Sequence, residues 1–186
     1  MTLAEMKQKV YSLIEEYNEN EENLTEDEDL AAKMNSVINS VMFEVSRMKK
    51  IPASTTVTIE FDEDEEEKEM ALTEIDDSIY QLDLIRGLNA TVFGDTVIFE
   101  EEGTARVFYY KYPTAITEDT DDDTYSFELD DDALECMVYG VAADLLKSDV
   151  SQNYGNIYAQ RYTDLLQRLD SRKALGGIYI DGSIDI

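Results

Sequence analysis

Apolar residues recur at helical spacing toward both ends of the chain and at alternate positions in its middle. Leu3, Met6, Val10, Leu13, Ile14 and Tyr17 fall on one helical face. Thr2-Leu3-Ala4-Glu5 supplies a capping box ahead of them, in which the hydroxyl and the carboxylate satisfy each other's backbone amides, so residues 3–17 are expected to form an amphipathic helix. NENEENLTEDED interrupts the pattern, and Thr25-Glu26-Asp27-Glu28 repeats the box. A second helix is expected over residues 26–49, with the stripe Leu30, Met34, Val37, Ile38, Val41, Val45 and Met48. Arg47, Lys49 and Lys50 lie at its negative pole, and Ile51-Pro52 stops it.

Beyond Pro52 the period falls to two. Val57, Ile59 and Phe61 alternate with Thr56, Thr58 and Glu60, the pattern of a half-buried strand. An acidic run follows, and Met70-Ala71-Leu72 resumes an apolar character. Residues 79–86, 90–93, 96–99 and 106–111 read as further short strands, with turns at Gly94-Asp95 and at Glu101-Glu102-Gly103. The expectation for residues 55–113 is an antiparallel β-meander. The acidic linker TEDTDDDTYSFELDDD then returns the chain to helix, with Asp130 or Asp131 as its cap. Leu134, Met137, Val138, Val141, Leu145 and Leu146 mark a helix over 131–149. Ile157, Tyr158, Tyr162, Leu165, Leu166 and Leu169 mark another over 155–170. Each helix pair is too small to bury its stripes alone. The expected fold is therefore α+β: the N- and C-terminal helix pairs form one bundle, the meander is an insertion, and residues 1–175 make a single domain. Gly176-Gly177 then reads as a hinge before an extended arm over 176–186.

Composition narrows the chemistry. The 186 residues are 43% hydrophobic, with 12 Tyr and 6 Phe, which is too apolar for a disordered protein. No apolar run approaches the roughly 20 residues that cross a bilayer, and MTLAEMKQKV lacks the plan of a signal peptide, so no membrane role and synthesis in the cytoplasm are expected. A single cysteine, Cys136, allows no internal disulfide and reads as a packed thiol within a helix. There is no histidine, which excludes every His-based catalytic dyad or triad. Against 15 basic residues stand 43 acidic ones, a net charge of −28. Such a surface repels nucleic acid, so the chain avoids DNA, imitates it, or has no dealings with it.

The acidic run Asp62, Glu63, Asp64, Glu65, Glu66 and Glu67 is expected to be a solvated loop, because adjacent like charges favour extension over convergence on a cation. Asp119, Asp121 and Asp123 match the first acidic positions of an EF-hand loop and are the candidate metal ligands. The sixth position is Thr124 instead of Gly and the twelfth is Asp130 instead of Glu, so a solvated linker is the better reading. Phosphate-loop and nucleophile-elbow motifs are both lacking in the sequence; neither an enzyme nor a cofactor is expected. In the arm, Ile178, Ile180, Ile184 and Ile186 share one parity beside Tyr179, which suits a strand added to a partner's sheet edge. Basic residues gather near Arg161, Arg168, Arg172 and Lys173, and again at Arg47, Lys49 and Lys50; these are candidate acceptors for a neighbouring subunit's carboxylates.

FYYKYP, the acidic linker, ELDDDALECMVYGVAADLLKSD and YAQRYTDLLQRLD, preceded by LTEDEDLAAKMNSVINSVMFEVSRMKKIP, together resemble the head–tail connector (adaptor) proteins of tailed bacteriophages. The resemblance spans nearly the whole chain and rests on layout and phrase. It implies a virion structural protein, made in the host cytoplasm and placed in the neck between capsid and tail. Its partners would be the portal protein, tail or neck proteins, and further copies of itself in a ring, commonly of twelve subunits. DNA would pass through that ring without specific binding, and the arm would lock onto the portal or a neighbour. An acidic DNA mimic that inhibits a DNA-binding protein is the alternative that explains the charge.

Overall fold

The computed structural model describes residues 1–15, 28–62, 65–146 and 152–171. The first helix, α1 (Leu3–Glu15), begins with the capping box that its sequence predicts. The Thr2 amide donates to Glu5 Oε2 at 2.9 Å, and the Glu5 amide donates to Thr2 Oγ1 at 3.2 Å. The acidic linker adds to this end. The Leu3 amide donates to the Tyr125 carbonyl, the Ala4 amide to the Asp122 carbonyl, and Lys7 pairs with the Asp122 carboxylate at 2.7 Å.

The second helix, α2 (Glu28–Lys49), ends where the sequence places its stop. The stop is sharper than Ile51-Pro52 suggests: Lys50 takes φ 53°, the left-handed conformation that closes a helix, and its amide returns to the Ser46 carbonyl at 2.8 Å. Strand β1 (Ile51–Ile59) starts immediately afterwards. Pro52 is tolerated inside it because β1 is an edge strand, where a missing N–H costs no ladder bond.

The remaining elements are β2 (Lys68–Ala71), the short helix α3 (Leu72–Ile75), β3 (Ile79–Arg86), β4 (Ala90–Phe93), β5 (Thr96–Phe99), β6 (Gly103–Lys111), α4 (Asp131–Leu146) and α5 (Gln152–Ser171). The molecule is thus α+β. The strands are antiparallel but do not form a meander. They make two three-stranded sheets, ordered β1-β6-β3 and β2-β5-β4, in which only β4 and β5 are consecutive neighbours. The first and last strands pair along their whole length, Ile51 opposite Lys111 and Ile59 opposite Gly103. Local turn signals predict hairpins well; long-range pairing of this kind leaves no local trace.

Two apolar cores result. In the β part Ile59, Val97, Phe99 and Ala105 are buried, with contributions from both sheets. In the helical part α4 is central: it contacts α1, α2 and α5, and eleven of its sixteen residues are buried. A helix that is apolar all round belongs at the centre of such a group. Asp130 caps it as expected, accepting from the Ala133 amide at 3.1 Å. Helix α5 runs antiparallel to α4, as the pairing of Cys136 with the Tyr162 carbonyl and of Tyr139 with Tyr158 shows. Gly140 lets the helices approach: a Cβ there would lie 2.9 Å from both the Tyr162 ring and Val41 Cγ1. Strand β1 joins the cores, since Ile51 is buried among the helices and Ile59 among the strands. The linker is fastened by Asn39, whose side chain donates to and accepts from the backbone of Ile116 at 2.7 and 2.8 Å.

Among the residues whose burial is described, the expected helical stripes are buried or half-buried with two exceptions. Ile157 is 58% exposed and Met48 36% exposed, whereas Met42, outside the expected stripe, is fully buried.

Candidate functional site

Among the described residues, four lysines pair with carboxylates of the same chain. Lys7 pairs with Asp122, Lys49 with Asp130 at 2.6 Å, Lys68 with Glu65 at 3.2 Å, and Lys111 with Glu128. Each of these lysines is spent inside its own chain, so the acid excess faces solvent. Lys49, expected as an acceptor for a neighbour, ties the end of α2 to the cap of α4 within the chain. Lys50 donates to Gln81 Oε1 at 3.0 Å and lies over the Tyr110 ring. Arg47 is exposed. Arg161 stacks over Tyr139, 5.7 Å from its centroid, and Arg168 is exposed on α5. Arg172 and Lys173 lie outside the described residues, as does the arm with Ile178, Tyr179, Ile180, Ile184 and Ile186.

The acidic run connects β1 of one sheet to β2 of the other. Asp62, Glu65, Glu66 and Glu67 are exposed; Glu63 and Asp64 lie outside the described residues. The Glu65 amide donates to the Asp62 carbonyl, and Glu65 Oε2 accepts from the Asp62 amide. That amide bond, followed by the one from Lys68, holds the Glu65 carboxyl below the usual carboxylate range. The described carboxylates of the run thus lie on the surface.

Asp119, Asp121 and Asp123 do not converge. Asp121 Oδ1 accepts from the amides of Asp123 and Thr124, a local turn that uses the carboxylate for backbone satisfaction. Among the described residues no group of three or more potential ligands is arranged to hold a metal ion. Cys136 is buried, and burial, followed by the nearby Glu44 and Glu135 carboxylates, pushes its thiol up to about 12. Tyr109 is buried as well; burial and the bond from its hydroxyl to Asp76 Oδ2 at 2.6 Å push it up to about 12. Bonds from Ser78 and then Tyr109 hold the Asp76 carboxyl below its ordinary value.

Two surface features escaped the sequence reading. The first is the β4–β5 hairpin, where Phe93 is 80% and Val92 46% exposed. The signal was present: residues 90–99 contain one charged residue, Asp95, in a chain that is 31% charged. The second is the outer face of the β1-β6-β3 sheet. Arg86 and Arg106 are opposite one another in the ladder and both lie over the Phe108 ring, at 5.3 and 5.1 Å. Lys50 lies over Tyr110 two positions further on, so a row of cations and aromatic rings crosses the sheet. Asp83 is the one carboxylate in these three strands. Period two in RVFYYK signals a strand, but only the register brings Arg86 beside Arg106.

No known protein family matches the chain, and no characterised protein matches it.

Proposed function

We propose that this protein is a head–tail connector of a tailed bacteriophage, a structural adaptor that forms a ring beneath the portal. The observation that carries the proposal is the disposition of charge. Internal ion pairs take up lysines, the acidic run and the linker leave most of their carboxylates exposed, and the net charge is −28. A surface of that kind lets a polyanion slide past without adhering. The resemblance of the helical segments and linker to connector proteins supports the same role. In this reading the four long helices form one bundle around α4, which contributes to a channel wall. The β part and residues 176–186 reach portal, neck or neighbouring subunits. Identical copies at this charge repel one another, so the free chain stays monomeric and closes into a ring on a preformed template.

A test is to mix the chain with purified portal rings and sediment the mixture. Co-sedimentation at about one copy per portal subunit, without self-assembly in the absence of portal, is the expected result. No association with the portal, together with tight salt-resistant inhibition of a DNA-binding enzyme, would move the assignment to a DNA mimic.

A further inference from the structure

We propose that the β part and the helical part are joined by a hinge, and that the ring contact of Tyr112 with Phe43 is its latch. The chain crosses between the parts twice, from α2 into β1 at Lys50-Ile51 and from β6 into the linker at Lys111-Tyr112. Both crossings lie at one end of the β1-β6-β3 sheet, because Ile51 is opposite Lys111 in the ladder and Lys111 is opposite Ile79. Among the described residues, none belongs to both cores. The helical core takes Ile51 from the strands and otherwise draws on residues 1–45 and 116–169. The core of the β part, with the half-buried residues around it, draws on residues 57–105. Ile51 sits at the crossing itself, where a rotation displaces it least. Two parts with separate cores, joined through neighbouring segments of backbone, can turn about the axis that those segments define.

The ties across the crossing are unequal. Tyr112 belongs with the β part: its amide donates to the Ser78 carbonyl at 2.9 Å, and its ring centroid lies 5.1 Å from that of Tyr80. The same ring meets Phe43 of α2 edge-on, with 5.7 Å between centroids and 62° between planes. Phe43 and Tyr112 are both half-buried, so their contact takes apolar surface of each out of water. The other ties are polar and nearer to solvent. Lys111 pairs with Glu128 of the linker, and Lys50 donates to Gln81 Oε1. Surface ties of this kind exchange with water and weaken in salt, whereas the ring contact does not. Parting Phe43 from Tyr112 lets the β part turn without unpairing a strand or opening either core. A partner that reorients the β part therefore works chiefly against this contact. The hinge concerns the free chain and does not depend on a connector role.

The test places pairs of spin labels on the full chain, in a Cys136→Ala background, and reads distance distributions by double electron–electron resonance. Ser40→Cys on α2 with Thr58→Cys on β1 reports across the hinge, both positions being exposed. Ser40→Cys with Gln160→Cys, and Thr58→Cys with Thr91→Cys, report within each part from exposed positions. The expected result for the parent is one narrow distribution per pair. Tyr112→Ala broadens the distribution between residues 40 and 58 about twofold and leaves the pairs within each part unchanged. Tyr112→Phe keeps the ring and leaves all three narrow, as does salt at about 1 M, which screens the Lys111–Glu128 pair. A broad distribution across the hinge in the parent, or one that Tyr112→Ala does not change, overturns the proposal. So does equal broadening of the pairs within each part, which would report loss of structure instead of rotation.

Discussion

At the scale of single residues, the fold depends on a few close approaches that composition does not reveal. Gly140 is the sharpest. Any Cβ there meets Tyr162 and Val41 at 2.9 Å, and neither a ring nor a branched side chain can swing aside cheaply. Gly140→Ala should therefore destabilise the protein by about 1–3 kcal/mol in urea unfolding, although alanine is the better helix former. An unchanged midpoint would mean that α4 and α5 are not packed as described. Tyr109 and Cys136 act through protonation. Both are neutral when protonated; burial raises them to about 12 from ordinary values of 10.0 and 9.0. As the pH climbs past those ordinary values, the unfolded chain releases these protons first, so stability falls progressively until the folded values are passed. The loss for Tyr109 is on the order of 2 kcal/mol, and Tyr109→Phe should remove that part of the alkaline slope in urea melts.

At the scale of elements, the helices were legible and the sheet order was not. A helix writes its burial into residues three and four apart, which is why Leu3, Met6 and Val10 announce α1 and why Thr2 and Glu5 announce its start. Strands announce only that they alternate. Ile79–Arg86 and Arg106–Lys111 were readable as strands, but that β6 lies between β1 and β3 is decided by packing across some fifty residues of chain. The same limit hid the row of Arg86, Arg106 and Phe108, whose members become neighbours only through that register. The acidic loop between β1 and β2 belongs to this scale too. Replacing Asp62 by Asn and Glu65, Glu66 and Glu67 by Gln should leave unfolding within about 0.5 kcal/mol of the parent, since these residues are exposed. On the connector proposal, the replacements should shift ring assembly to lower salt and slow DNA release. If assembly and release are both unchanged, the loop has no part in repulsion.

At the scale of the whole molecule, one number governs behaviour. A net charge of −28 on 186 residues makes copies repel one another, and screening by salt shortens the reach of that repulsion to about 8 Å at physiological ionic strength. The architecture leaves the charge uncompensated, because Lys7, Lys49 and Lys111 are committed to Asp122, Asp130 and Glu128 within the chain. A protein arranged in this way suits a place where DNA passes by and where assembly waits for a template. The most direct measurement of the proposed connector role is quantitative mass spectrometry of purified particles of the proposed source phage, with this chain counted against the major capsid protein. About a dozen copies per particle is the predicted result, one closed ring at the neck. Absence from the particle would contradict the connector account.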